Sequence, residues 1–171
     1  MARIVLYLVP PENYFESVVR IFKTCLKGHR VTYVTANKPY ATLSAMFKKA
    51  KIRPEGIFFI DCVTRETSPH QVHEPDNCIM IDSPKNLTAI GISISKSMAY
   101  IPGKKALFLD SLSTLLIYHD AGVIARFSSF IINQMRLECI DFCIIALSSD
   151  MDKDVISKIS SFVDKVEHWG A

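Results

Sequence analysis

No stretch of this chain is long and apolar enough to cross a bilayer. The longest apolar runs, such as Phe142 to Leu147, fall far short of the ~20 residues a span requires, and Arg136, Glu138 and Asp141 interrupt the apolar region before it. No secretory leader is expected either: Met1-Ala-Arg leads straight into Ile4 to Val9, and Pro10-Pro11 ends that run too abruptly for a cleavable segment. A cytoplasmic protein without a membrane helix is therefore expected. There is no C-x-x-C pair, and the five cysteines (Cys25, Cys62, Cys78, Cys139, Cys143) are odd in number, which argues against a disulfide framework and for free thiols. No Gly/Ser-rich linker and no internal repeat divides the chain. With 171 residues, 49% hydrophobic and only 22% charged, disorder is excluded and a single domain over residues 1–171 with a sizeable core is expected.

What charge there is lies unevenly. Residues 1–55 carry ten Lys and Arg against three Asp and Glu, whereas residues 56–171 carry ten against fourteen. A basic first third can mark a phosphate or nucleic-acid surface. Lys48, Lys49, Lys51 and Arg53, however, fall where a helix ends, and cations there complement the helix dipole without any partner. The aromatics of that third (Tyr14, Phe15, Phe22, Tyr33, Phe47) suit core faces better than a base-stacking platform, so no nucleic-acid partner is expected.

Short apolar runs alternate with segments of helical period, which is a βα pattern. Residues 4–9, 30–35, 57–60, 79–81, 106–110 and 142–147 read as buried strands, with a short one at 165–169. Between them, helix faces are expected from Phe15, Val18, Val19, Phe22 and Leu26; from Leu43, Met46, Phe47 and Ala50; and from Leu87, Ile90, Ile94 and Met98. Val123, Ile124, Phe127, Phe130 and Ile131 form another, and Val155, Ile156, Ile159 and Phe162 the last. Ser83-Pro84 has the signature of a helix start, and residues 64–77 read as a long surface loop. Continuous apolar strands joined by helices imply a mainly parallel sheet covered on both faces.

The segment Lys105-Ala-Leu-Phe-Leu-Asp110-Ser-Leu-Ser-Thr-Leu-Leu116 resembles the Walker B strand of RecA-type ATPases, particularly the KaiC-like and RadA-like branch, where four apolar residues are followed by Asp-Ser. Val31 to Thr35, Ile57 to Asp61, Phe142 to Ser149 and Phe162 to Val166 resemble further core segments of that branch, in the same order. The resemblance covers most of the chain. It implies a three-layer α/β/α RecA-like P-loop fold, here with a degenerate P-loop.

A phosphate-binding loop of this class needs glycines, which let successive backbone N–H groups curl round the phosphates, and a lysine to neutralise them. The first strand here runs instead into Pro10-Pro-Glu-Asn-Tyr-Phe-Glu-Ser17, with neither Gly nor Lys. Phe15 stands near the place of the phosphate-binding lysine and Glu16 near that of the magnesium-binding hydroxyl. The acidic pair that KaiC-like enzymes often place after the second strand is replaced by Asn37-Lys38. Both departures speak against an ATP-hydrolysing enzyme. If a nucleotide crevice survives, the resemblance places it at Pro11, Glu12, Asn13, Asn37, Lys38, Asp110, Ser111 and Ser148, with ATP and Mg as the ligand that an atypical loop at 10–17 would take. The local alternative is that Asp110 and Ser111 cap the following turn and that Ser148 to Asp150 cap the next helix.

Cys62, His70, His73 and Cys78 have the donor types zinc prefers, but their spacing matches no common structural zinc site, so loop histidines and core thiols are expected. His119-Asp120 reads as a turn residue followed by a helix N-cap. Phe47-Lys-Lys-Ala50 matches the Phe-x-x-Ala peptide with which RadA-like recombinases bind one another's sheet edges, yet here it lies on a helix face. The reading that accounts for an intact core and an altered site is a non-catalytic domain. It would bind a protein or peptide, or a further copy of itself as a homo-oligomer, through a sheet edge.

Overall fold

The structure is a computed structural model that describes residues 1–70, 73–150 and 153–169. Seven parallel strands form one sheet: β1 (Ile4–Val9), β2 (Arg30–Thr35), β3 (Ile57–Asp61), β4 (Cys78–Met80), β5 (Lys105–Asp110), β6 (Asp141–Leu147) and β7 (Lys165–His168). Their order across the sheet is β4-β3-β2-β5-β6-β1-β7. Strands from both ends of the chain thus meet at one side of the sheet, where Ile4 pairs with Phe142 and Val5 with Lys165.

Alternation along each strand sends side chains to two separate cores. On one face Val5, Tyr7, Tyr33, Phe59 and Phe108 pack against α1 (Tyr14–Cys25) and α2 (Tyr40–Lys49). On the other, Leu6, Val34, Ile60, Leu107 and Ile144 lie under α4 (Leu87–Tyr100), α5 (Leu112–Tyr118), α6 (Ala121–Leu137) and α7 (Asp154–Ser160). The layers are helix, sheet and helix. Burial on both faces is why the strands read as unbroken apolar runs.

Several expectations need correction. The helix after Ser83-Pro84 begins at Leu87, capped by Asn86, whose side-chain oxygen accepts from the Ala89 amide at 3.0 Å. Ser83 instead opens a turn, its carbonyl accepting from the Asn86 amide. Phe130 is 63% exposed and Phe162 is 40% exposed, so neither belongs to the core face to which spacing assigned it. Ile132 and Met135 take the buried places on α6 instead. Ser148 to Asp150 form one 3-10 turn, and the cap position of α7 is Lys153. A short helix, α3 (Thr64–Thr67), opens the segment read as loop, and α5 was not expected. His70 lies in a turn after α3, and the rest of the described part of that segment is irregular.

Candidate functional site

Parallel sheets of this kind offer ligands a crevice outside the carboxyl ends of the strands, where neighbouring connections leave in opposite directions. Here that place lies beyond β1, β6 and β5. From β1 the chain crosses to β2, past β6 and β5, whereas from β6 it runs the other way to β7. Pro10 leads into a 3-10 turn at Pro11–Asn13, exposed throughout, and α1 starts at Tyr14.

The centre of this region is Asp110, at the end of β5 and 2% exposed. Both of its carboxylate oxygens are engaged by phenols. The Tyr14 hydroxyl, from the first turn of α1, donates to Oδ1, and the Tyr33 hydroxyl, from β2, donates to Oδ2 at 2.5 Å. Tyr33 stacks on Phe108 with ring centroids 4.9 Å apart, which fixes the direction of its hydroxyl. Burial raises the Asp110 carboxyl above its ordinary range, while the two phenols, the charge of Lys38 and Asn37 pull it back down. Burial first, and then the neighbouring charge of Asp110, hold both phenols well above their ordinary value, so they remain donors.

Around this carboxylate the backbone is tied down. The Ala36 amide donates to the Asp110 carbonyl at 2.8 Å, joining the ends of β2 and β5. Ser111, joined to Asp110 by a cis peptide, caps α5: its hydroxyl accepts from the Thr114 amide at 3.2 Å. The Ser113 hydroxyl accepts from the Leu147 amide at the end of β6. Thr35 accepts from the Lys38 amide and donates to the Lys38 carbonyl, closing the loop that carries Asn37 and Lys38. A second buried strand-end carboxylate, Asp61, accepts from the amides of Tyr40, Val63 and Thr64 and from the Thr64 hydroxyl. Asp61 is thus a structural clasp between β3, α2 and α3.

Asn37, Lys38, Asp110 and Ser111 come together at this place, with Asn37 and Lys38 acting on the Asp110 carboxyl. Pro11, Glu12 and Asn13 form the exposed turn between β1 and α1, and Ser148 opens the turn after β6. Phe15 packs against Phe47, ring centroids 5.8 Å apart, and Glu16 is exposed. Sequence reasoning missed Tyr14 and Tyr33 as partners of Asp110. Their aromatic character had placed them on core faces, and nothing local marks the hydroxyls as aimed at one carboxylate.

Of the residues weighed as zinc donors, Cys62, just after β3, and Cys78, in β4, are buried, and burial pushes the Cys78 thiol up to about 12 and the Cys62 thiol higher still. Among the described residues, no three His, Cys, Asp or Glu side chains gather where a metal ion could be held. The His119 ring nitrogen Nε2 lies 3.0 Å from the Pro84 carbonyl, and Asp120 takes the N-cap position of α6 without a side-chain hydrogen bond. Phe47 of the Phe-x-x-Ala match is fully buried. Among the described residues no helix is long and apolar enough to cross a membrane.

The layers, the strand order and the carboxylate at the end of β5 define a three-layer α/β/α domain with a RecA-like fold, and solved structures of that kind are similar to it. A KaiC-like protein from the hyperthermophilic archaeon Pyrococcus horikoshii superimposes with a TM-score of 0.66 at 10% identity, over 97% of this chain and 70% of that one. An uncharacterized protein from Pyrococcus horikoshii, crystallised in complex with an unknown peptide, superimposes with a TM-score of 0.65 at 9% identity, over 98% and 76%. The chain belongs to the DUF7504 family, a family of unknown function whose model matches residues 11–166. No curated protein matches its sequence.

Proposed function

We propose that this protein is a non-catalytic RecA/KaiC-like domain that works as a protein- or peptide-binding, regulatory module. The observation that carries this reading is the state of Asp110, a buried carboxylate with both oxygens bonded to Tyr14 and Tyr33. In a nucleotide-hydrolysing relative of this fold, that carboxylate has to reach a metal or its water. Here it faces the protein's own phenols. The residues around it do not fit a magnesium-bound triphosphate. Pro10 and Pro11 remove two backbone donors, Glu12 and Glu16 add negative charge, and no glycine or lysine stands between Pro10 and Ser17.

A sheet edge is the surface we favour for the partner. An unpaired row of N–H and C=O groups can receive an extended segment by strand addition. The β4 edge is shielded, because the Glu74 carboxylate from the preceding loop accepts from the Met80 amide. β7 is the other terminal strand, and no further strand pairs with it among the described residues. The peptide bound to the Pyrococcus structure lends the idea support at the level of the fold alone.

Calorimetric titration with Mg-ATP and Mg-GTP tests the first half. No binding tighter than ~10 µM, equivalent to ~7 kcal/mol, is expected, and tighter binding would defeat the non-catalytic reading.

A further inference from the structure

α6 carries more apolar surface than its core requires. Ile124, Ile131, Ile132 and Met135 are buried against the sheet, which satisfies one stripe of an amphipathic helix. Phe127 and Phe130 form part of a second stripe, and Phe130 is 63% exposed. Across from them on α4, Ile92 is 51% exposed. Between the two helices runs a trough of about 610 Å³. The trough is open at Gly91, where a Cβ would come no nearer than 4.0 Å to the Phe127 ring. A second hollow of about 420 Å³ shares Arg126 and Phe130 with the trough and lies between α6 and α7, reaching Phe162 beyond α7.

Its charge is of one sign. Lys96 and Arg126 line the first hollow, Arg126 and Lys158 the second, and no carboxylate lines either. Among the described residues neither Lys96 nor Arg126 has a carboxylate within ion-pair distance. Lys158 faces Asp154 at 3.8 Å, but Asp154 is 89% exposed and that pair is weak in water.

We infer that the α4–α6 trough docks a helical segment of a partner protein that has one apolar stripe and carboxylates along its flanks. An apolar ridge fills the hollow between Ile92, Phe127 and Phe130, and acidic side chains meet Lys96, Arg126 and Lys158. The lengths agree: α4 and α6, at 14 and 17 residues, are roughly 21 and 25 Å long, which suits three to four turns of a docked helix. A concave trough favours an inserted ridge over a flat lipid surface. The trough lies on the helical layer and not at β7, so this inference stands without the sheet-edge proposal, and the nucleotide titration does not bear on it.

The probe is a labelled helical peptide of about 18 residues with Leu at i, i+3, i+4 and i+7 and Glu on both flanks, titrated into the full chain by fluorescence anisotropy. One control replaces every Glu by Lys, and a second keeps the composition but scrambles the stripe. The acidic striped peptide is expected to bind at least about tenfold tighter than either control and to lose at least about tenfold with Phe130→Asp. Because Phe130 is exposed, that variant keeps its fold, which circular dichroism checks. The double variant Lys96→Glu, Arg126→Glu is expected to reverse the preference towards the Lys peptide. Equal binding of both charge types, insensitivity to Phe130→Asp, or no binding of any peptide overturns the inference. So does a Phe130-dependent dimer in light scattering, or Phe130-dependent binding to phosphatidylserine vesicles without peptide binding; these would assign the trough to a second copy or to a membrane.

Discussion

Asp110 shows how one carboxylate can stay in a core. Its raised pKa means that the folded chain holds the proton to higher pH than the unfolded chain, which releases it near 3.9. The protonated form therefore contributes stability below that value, and the contribution is lost as pH rises through the raised folded value. Asp110→Asn, which mimics the neutral carboxyl but offers only one acceptor, is expected to cost about 1 kcal/mol near pH 4 and less as pH rises. Urea unfolding of both proteins from pH 4 to 8 checks the sign, and a cost that grows with pH would show that the phenols hold Asp110 ionised. Tyr33→Phe leaves the buried Oδ2 without its donor and is expected to cost about 1–3 kcal/mol by the same measurement. Asp110 itself could be read from the sequence, because a carboxylate closing an apolar run stands out. Its partners could not: Tyr33 and Tyr14 lie 77 and 96 residues away, and a phenol in an apolar pattern shows only its ring.

Among the elements, the strands were the most legible, since burial on both faces leaves an apolar run with little ambiguity; β2 falls where the sequence placed it. Helix starts were less so. Ser83-Pro84 carries the same signature as a true start, but the hydrogen bond that decides is Asn86 to Ala89, three residues further on. Asn86→Ala is accordingly expected to cost about 1 kcal/mol, and Ser83→Ala to stay within ~0.5 kcal/mol, as thermal unfolding of the two variants will show. Phe130 illustrates a different limit. Spacing identifies apolar stripes, but on a helix with two adjacent stripes it does not say which one meets the sheet, and the one left over becomes a surface.

At the scale of the whole molecule, the two cores are apolar and continuous, and every strand except β7 contributes to both. We expect no metal to be needed to hold them together. The melting temperature should then be unchanged by EDTA, and the purified protein should carry no stoichiometric zinc; a collapse in chelator would return Cys62, His70, His73 and Cys78 to consideration. The sheet order has a further consequence for how the chain is made. Of the seven strands β1 leaves the ribosome first, and its two neighbours, β6 and β7, leave last. Ile4 waits for Phe142, and at roughly 5–20 residues per second this is a delay on the order of ten seconds. Throughout that interval Ile4–Val9, buried on both faces in the finished sheet, is a bare apolar segment on a nascent chain whose β2, β3 and β4 can already associate. The topology thus keeps β1 without either of its neighbours until β6 and β7 have been made, well after β2, β3 and β4 can pair.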